Sequence, residues 1–330
     1  MTVMTGRFAK AAACMLALLA LRAQAQPPLI AGQPETVYSD AQREIDLDNS
    51  RRMVEIMLAP SFSIEGQYAR WKQPVCPHVY GLTAAAGWYV EHHIREIAQR
   101  IGAPLDHNDP CRANIGIFFS AQPQASLESI AAASPMLIAG GSQKLQVKYP
   151  VQAWYTSLKT DYNGTRTLDI PFEVSNPAAD CIGSLRAAVS GTADGGGDGG
   201  SIDMSNGVCE QPYVRANDSR LHTGLTAEMA ATTVLVDSKA VTGMTLNALG
   251  DYLAFLTLAQ DQQNGGCLPV PSIANLMLGC TAADTPHSLS HVDIALLTAL
   301  YSVPDTPEML QKQRIVGAMR RSLEKQYGKN

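Results

Sequence analysis

The sequence predicts a fold of the α/β (α+β) class, with a mixed, twisted sheet, packed helices and a C-terminal third that is mainly helical. Two observations predict this class. Through residues 70–237, short segments rich in β-branched and aromatic residues alternate with segments of helical periodicity. From residue 245 onward the helical pattern dominates. We therefore expect a β-rich middle of the chain and helices at its end.

Residues 1–25 are predicted to be a signal peptide. Basic residues precede an apolar run at 11–21, and an A-x-A cleavage site at 23–25 places the mature N-terminus at Gln26. The apolar run is too short to span a membrane as a helix, and no later stretch approaches that length. We expect an exported protein, periplasmic or secreted, that has no membrane anchor after cleavage.

Composition narrows the function classes. About 305 residues follow the leader, which suits one large domain or two small ones. The net charge of −5 is dispersed and forms no basic patch, so nucleic acid is not an expected partner. The chain has no phosphate-binding glycine loop and no G-x-S-x-G serine elbow, and no cofactor is expected.

The individual elements follow from periodicity and from helix stop signals. The clearest helix spans residues 83–101, because Val90, Ile94 and Ile97 recur at three- and four-residue spacing and Gly102 ends the pattern. The other predicted helices span residues 40–58, 126–133, 245–259, 289–301 and 307–327. The predicted strands span residues 71–79, 113–120, 145–159 and 229–237.

These elements divide the mature chain into an N-terminal extension with one helix (26–69), a main domain (70–305) and a C-terminal helix (306–330). A glycine-rich insertion at residues 191–207 interrupts the main domain. Its aspartates invite a calcium interpretation, but it lacks the spacing and the terminal glutamate of an EF-hand loop. We expect a loop tied at its base by cysteines.

The cysteines predict three disulfides. Seven are present, and Cys14 lies in the predicted leader. The six that remain can pair in fifteen ways, and none forms a CxxC motif of the zinc-ribbon or thioredoxin kind. Sequential pairing is the prediction, since each neighbouring pair brackets one recognisable unit. The predicted pairs are Cys76–Cys111, Cys181–Cys209 and Cys267–Cys280.

The segment EHHIRE, residues 91–96, places two adjacent histidines between glutamates in a chain with seven histidines. Glu91, His92 and Glu96 could together hold a surface metal, because side chains four residues apart are neighbours on a helix. Such a site would need further ligands from elsewhere in the fold. We therefore expect a solvated helix face, with His93 at the edge of the apolar stripe; partner contact and metal or acid/base chemistry are the alternatives.

The order of elements in the last third carries a resemblance. A helix at 245–261 is followed by PSIAN at 271–275 and by LSHVDIALLTALY at 289–301. This resembles the second half of a zincin metallopeptidase of the metzincin type, in which an HExxH helix precedes a tight turn and a further helix. The strand near Val75, the helix 83–101 and the strand ANIGIFF resemble the zincin opening. More narrowly, the layout is similar to exported bacterial proteins of unknown function of the DUF2927 type, which share PSI-x-N and a related helix ending.

The zinc-binding helix of that layout has lost its ligands. Aligning HExxH places Gly250 and Ala254 at the two histidine positions and Asp251 at the position of the glutamate. Glycine and alanine have no side-chain atom that can bind zinc. The resemblance therefore implies a zincin-like domain over residues 70–305 without metal or assigned catalytic residue, in which Asp251 alone keeps an acid.

A second polar cluster precedes the helix at 289–301. Asp293 suits helix capping, with Ser288 or Ser290 as the cap residue. The alternative is a replacement metal site formed by His287 and His291 together with Asp251. A polar loop with Asp106, His107 and Asp109 is interpreted as a turn beside a disulfide.

Three functions agree with these observations. The favoured one is a catalytically inactive zincin-like scaffold or binding protein with an unknown protein or envelope partner. The second is a metal-dependent, peptidase-like hydrolase with rearranged ligands drawn from His92, His222, His287 and His291. The third is a cell-envelope interaction module that exposes Trp88 and Tyr89, or Trp154 and Tyr155, to a partner.

Overall fold

The strands form one mixed sheet of six strands with the longest strand near its centre. In the computed structural model they are β1 (Arg70–Trp71), β2 (Pro77–Tyr80), β3 (Ile115–Ser120), β4 (Val151–Thr160), β5 (Arg166–Leu168) and β6 (Thr226–Asp237). Their order is β2-β3-β6-β4-β5, and β1 pairs with the beginning of β6. β1, β2 and β3 run parallel to their neighbours, whereas β4 is antiparallel to both β5 and β6. The predicted mixed sheet is thereby confirmed.

The structure describes residues 40–61, 67–106, 111–138, 145–160, 166–168, 225–262, 266–281, 285–304 and 308–327. They all belong to one compact unit. The predicted leader, the glycine-rich insertion and the predicted Cys181–Cys209 pair lie outside these residues.

The helices match the predicted segments closely. They are α1 (Asp40–Met57), α2 (Ala84–Ile101), α3 (Pro123–Ala133), α4 (Leu246–Leu258), α5 (His291–Ser302) and α6 (Glu308–Tyr327). Short 3₁₀ helices span Pro135–Ile138 and Ile273–Met277, the latter within and beyond the PSIAN segment. The helical C-terminal third is confirmed.

Both faces of the sheet are covered. Along β6, Val234 and Val236 contribute to the large core on the side of α1, α2, α4, α5 and α6, whereas Ala231 and Leu235 contribute to a smaller core with Leu127 of α3. Successive strand residues point to opposite faces. A strand covered on both faces is expected to be mainly apolar, as β6 is at residues 229–231 and 234–236, although Glu228, Thr232 and Thr233 are also buried in it.

The N-terminal extension and the C-terminal helix pack against each other. Met53 of α1 shares the large core with Ile315 and Met319 of α6. At the edge of this contact, the Lys312 ammonium pairs with the Glu55 carboxylate. The two ends of the described chain therefore complete the same core as the main domain.

Two disulfides join the pairs predicted from sequence. Cys76 and Cys111 link the start of β2 to the segment before β3, and Cys267 and Cys280 enclose the second 3₁₀ helix. Both pairs lie in connections between elements, and Cys76 is itself buried. Each bond closes a covalent loop and so restrains its backbone.

The prediction of one strand over residues 71–79 is wrong. Trp71 pairs with Met229 of β6, whereas Pro77 pairs with Ile115 of β3. The chain changes partner between them, and the Val75 N–H instead donates to the carbonyl of Pro104. A sequence pattern does not reveal such a change, because both halves are equally extended.

Helix α2 is fixed at both ends by local chemistry. Gly81 joins β2 to α2 at φ 84°, and a Cβ there would lie 2.2 Å from the carbonyl oxygen of Phe119. Only glycine avoids this contact. Thr83 caps the first turn by accepting from the Ala86 N–H, and Gly102 ends the helix at φ 81°. These constraints set which α2 residues face α4.

Candidate functional site

The contact between α2 and α4 determines where the EHHIRE histidines lie. The side chain of His93 is only 16% exposed, and its Nε2 lies 2.6 Å from Oδ1 of Asp251 on α4. The other oxygen of Asp251 accepts from the Leu289 N–H at 2.9 Å. One carboxylate therefore joins α2, α4 and the segment that leads into α5.

His93 is held from a second direction by Tyr89, one turn earlier on α2. The two rings are stacked, with centroids 5.8 Å apart and planes 9° from parallel. The Tyr89 hydroxyl lies 3.5 Å from the side-chain oxygen of Asn247 on α4. The ring of His93 is thus held in one orientation between an aromatic face and a carboxylate.

Gly250 provides the space for this ring. A Cβ at this position would lie 2.8 Å from Cδ2, 3.4 Å from Cγ and 3.6 Å from Nε2 of His93. Any side chain at residue 250 would have to displace the imidazole. A glycine within a helix costs about 1 kcal/mol relative to alanine, so the close approach of His93 gives a physical reason for the residue.

Glu91 acts on the sheet rather than on a metal. Its Oε1 accepts from the Val79 N–H of β2 at 2.7 Å and lies 3.4 Å from Nδ1 of His78. In the described sheet β2 is the terminal strand. A side chain that occupies an outward N–H reduces the capacity of such an edge to pair with another chain.

His92 has the solvated position that the helical periodicity predicted for it. Its ring stacks on Trp88 with centroids 4.9 Å apart, and its Nε2 lies 3.4 Å from Glu96. His92 therefore lies on the expected solvated face, and His93, expected at the edge of the apolar stripe, is partly buried against α4. The reason is geometric: one residue further around the helix turns the side chain from solvent toward α4.

Helix α4 is buried on all sides from Ala248 to Leu258. Ala254, aligned with the second HExxH histidine, has no exposed surface. A helix that is buried on all sides is a central element of a core. In this structure the α4 segment serves as packing against the sheet and the neighbouring helices.

The aspartate of the LSHVD segment organises the turn before α5. Oδ1 of Asp293 accepts from the Ser272 hydroxyl at 2.5 Å, and Oδ2 accepts from the Ile273 N–H at 2.8 Å. Ser290 donates to Oδ2 through both its N–H and its hydroxyl at 2.9 Å. The same Ser290 hydroxyl accepts from the Asp293 N–H and completes a capping box. The predicted helix cap is thus present, with Ser290 rather than Ser288 as the cap residue.

Complete burial raises the pKa of the Asp293 carboxyl, and the hydrogen bonds from Ile273, Ser272 and Ser290 act against that increase. Every group in contact with the carboxylate is a donor. Asp293 therefore links the PSIAN turn to α5 and has no surface from which to reach a substrate.

The asparagine of PSIAN has a similar structural role. The Oδ1 of Asn275 accepts from the Leu268 N–H at 2.8 Å, and its Nδ2 donates to the carbonyls of Leu268 and Val270. The side chain is fully buried. The PSIAN and LSHVD segments are therefore joined by hydrogen bonds that fix the turn before α5.

The remaining metal candidates do not converge. His287 is exposed, and Nδ1 of His291 lies 2.7 Å from the Oε1 of Gln326 on α6. Among the residues that the structure describes, no group of three or more His, Cys, Asp or Glu side chains is arranged to hold a metal ion. His107, Asp109 and His222 lie outside that part of the chain.

One of the two proposed aromatic contact pairs is corrected. Trp154 is only 4% exposed, because α3 and the first 3₁₀ helix cover its face of β4. The Tyr155 hydroxyl points to the other side and donates to the carbonyl of Leu256 at 2.9 Å. Trp88 is 63% exposed and remains available on the surface of α2.

Sequence reasoning missed the His93–Asp251 pair. The signal that could have pointed to it is Gly250, since an isolated glycine inside a helical pattern indicates a close approach. The glycine does not identify what approaches, because the partner lies 158 residues from Asp251 in the chain.

Fold and site together define an α/β protein with a mixed sheet, two disulfides within the described residues and a partly buried histidine–aspartate contact between two helices. None of the described helices is long and apolar enough to cross a lipid bilayer. Comparison with protein-family models, curated proteins and solved structures yields no match.

Proposed function

We propose that this protein is an exported, zincin-like scaffold that has no peptidase activity and acts by binding a partner. The elements behind the resemblance occur in the expected order: β2, α2 and β3, followed by α4, a 3₁₀ turn and α5. Disulfides persist in oxidising compartments, which supports the export that the leader predicts.

The observation that carries the proposal is the position of the His93 ring against Gly250. The resemblance assigns residue 250 to a zinc ligand, and here an imidazole from another helix fills the space beside it. Asp251, assigned to the general base, already binds both His93 and the Leu289 N–H. A general base must reach the proton that it removes, directly or through one water.

Burial of α4 supports the same conclusion. A peptidase must bring its substrate to the helix that holds the metal, and residues 248–258 of α4 have no exposed side. Restoring histidines at 250 and 254 would therefore not by itself create an accessible site. The missing histidines at positions 250 and 254 and the burial of α4 both argue against peptidase activity.

The test is the metal content of the mature chain. The protein from Gln26 onward would be produced in an oxidising compartment, dialysed against trace zinc and analysed by mass spectrometry for zinc per chain. We expect a ratio close to zero, and no cleavage of unstructured peptides. The exposed His92→Ala variant is the matched control for nonspecific surface binding.

The opposite result has a defined signature. A ratio close to one that His287→Ala or His291→Ala removes, and His92→Ala does not, would refute the proposal. It would favour the metal-dependent hydrolase with rearranged ligands. A peptidase assay of the same variants would then identify the ligands that activity requires.

A second candidate, a cell-envelope interaction module, is favoured by Trp88. Trp88 is 63% exposed and the adjacent Tyr89 is 36% exposed, so α2 presents two neighbouring aromatic side chains on its surface. A contiguous exposed apolar patch is the feature that marks a contact surface. Trp88→Ala should abolish envelope association if this module is correct. If Trp88→Ala associates with the envelope as the parent protein does, Trp88 is not part of a contact surface.

A further inference from the structure

The solvent side of α6 is basic, although the chain as a whole carries a net charge of −5. Ile315, Met319 and Leu323 bury the other side of this helix in the large core. Three exposed cations follow one another along the solvent side: Arg314, Arg321 and Lys325. A local excess of positive charge attracts an anionic partner whatever the net charge of the chain.

These cations form one line along the helix. Arg314 and Arg321 are seven residues apart and Lys325 follows four residues later, so all three lie on one face of a helix with about 3.6 residues per turn. At a rise of about 1.5 Å per residue, the line is about 16 Å long. Leu310, four residues before Arg314, begins the same line and is 42% exposed. Leu310 and the three cations are named the α6 stripe.

Gly317 lies within the α6 stripe and leaves room for the Arg321 side chain. A Cβ at residue 317 would be 3.4 Å from Nη1 of Arg321, so this guanidinium extends back along the helix over the glycine. Among the residues that the structure describes, no carboxylate forms an ion pair with Arg314, Arg321 or Lys325. Their charges are therefore not neutralised by described neighbours.

Cations of α6 outside the stripe lie beside charges of opposite sign. Lys312 is paired with Glu55 of α1. Arg320 and Glu324 are both exposed and are four residues apart, a spacing that makes them neighbours on the surface of a helix. The α6 stripe is therefore the part of this helix whose positive charge is in excess.

The composition of the stripe favours a lipid surface over other anionic partners. Helices that lie against membranes carry Lys and Arg near the headgroups and apolar side chains that reach the boundary of the acyl chains. Leu310 supplies such an apolar group at one end of the line of cations. A purely ionic partner would use the three cations alone. The stripe also lies on the convex side of a helix, which meets a flat surface along its whole length.

We propose that the α6 stripe holds the protein against a membrane surface rich in anionic phospholipids, with its cations on the headgroup phosphates and Leu310 at the acyl boundary. The buried side of α6 stays packed with Met53 of α1, so the contact is peripheral. Three cations give modest affinity, and the association is therefore reversible and weakened by salt. The inference goes beyond the proposed function and does not depend on it.

The test is sedimentation of the mature chain, from Gln26 onward, with lipid vesicles. One set of vesicles contains equal parts of phosphatidylglycerol and phosphatidylcholine, and the other contains phosphatidylcholine alone. We expect binding to the anionic vesicles only. Raising the salt from about 0.1 M to about 1 M shortens the Debye length from about 10 Å to about 3 Å and should release the protein. This part of the test needs no variant.

Two triple variants assign the binding to the stripe. The first replaces its cations: Arg314→Gln, Arg321→Gln and Lys325→Gln. It should bind the anionic vesicles about a hundredfold more weakly, at about fivefold for each charge. The matched control replaces three exposed cations elsewhere: Arg100→Gln, Lys148→Gln and Lys239→Gln. The control has the same net charge as the first variant and should bind as the parent protein does.

The inference is overturned by equal binding to both lipid compositions, by no binding to either, by binding that survives about 1 M salt, or by equal loss in the two triple variants. Loss of binding in Trp88→Ala would move the contact to α2 and overturn it as well. Leu310→Gln should weaken binding about three- to tenfold, and unchanged binding would overturn the assignment to lipid. Zinc content and peptide cleavage are measured separately, so failure here is distinct from failure of the proposed function.

Discussion

Replacing Gly250 with alanine tests the contact on which the proposed loss of activity depends. In an ordinary helix interior this change stabilises a protein by about 1 kcal/mol, because glycine loses more backbone entropy on folding. Here the new Cβ would lie 2.8 Å from Cδ2 of His93, closer than such atoms can approach. The ring must move away from α4, and the hydrogen bond to Asp251 is strained or lost.

The magnitude follows from these two opposing terms. A hydrogen bond to a charged group contributes about 1.5–3 kcal/mol, and leaving the Asp251 oxygen unpaired removes that contribution. After subtracting the gain of about 1 kcal/mol in helix propensity, Gly250→Ala should lower the free energy of unfolding by about 0.5–2 kcal/mol.

The sign should reverse once His93 is removed. In a His93→Ala background the space beside residue 250 is open, so Gly250→Ala should raise the free energy of unfolding by about 1 kcal/mol. The two substitutions are then strongly coupled, as expected for residues in direct contact. The change of sign depends only on the contact between residue 250 and the His93 ring.

Urea unfolding followed by circular dichroism, with the disulfides intact, measures these differences. Gly87→Ala is the matched control on α2, because its nearest neighbour would be Val79 Cβ at 3.7 Å, an ordinary contact. It should be stabilising with or without His93. The reasoning is refuted if Gly250→Ala behaves like Gly87→Ala in the unmodified chain, or if His93→Ala leaves its effect unchanged.

Three further predictions address the supports around this site. Asp293→Asn should lower the free energy of unfolding by about 1–3 kcal/mol, since the amide has one acceptor oxygen where the carboxylate has two, and its NH₂ group would face buried donors; an unchanged urea midpoint would contradict this. Replacing Cys267 and Cys280 together by serine should cost about 3 kcal/mol, because the disulfide closes a short loop in the unfolded chain; equal midpoints for the double variant and the oxidised parent would argue against it. Burial raises the pKa of Tyr68 from 10.0 to about 12. Folding thus favours the protonated phenol, and the resulting stability is present below pH 10 and is lost as the pH rises toward 12. The measurement is phenolate absorbance during a pH titration, and the Tyr68→Phe variant shows which part of the signal belongs to Tyr68. Ionisation of Tyr68 near pH 10 in the folded protein would contradict the raised pKa.

The candidate site could be predicted only in part from the sequence. Local patterns predicted α2, the cap at Ser290 and Asp293, and the disulfides at Cys76 and Cys267, because each depends on neighbours in the chain or on cysteine order. The aromatic residue Trp154 was misplaced. Strand alternation tells which face a residue takes, whereas whether a helix covers that face depends on the whole topology.

By itself the sequence determined the class of fold, the boundaries of the helices to within a few residues and the absence of histidine at positions 250 and 254. Only the tertiary structure decided that His93 fills the space beside Gly250 and binds Asp251. The physical reason is one of range. Periodicity and capping act over one or two helical turns, whereas this pair spans 158 residues and exists only because α2 and α4 pack against the same sheet.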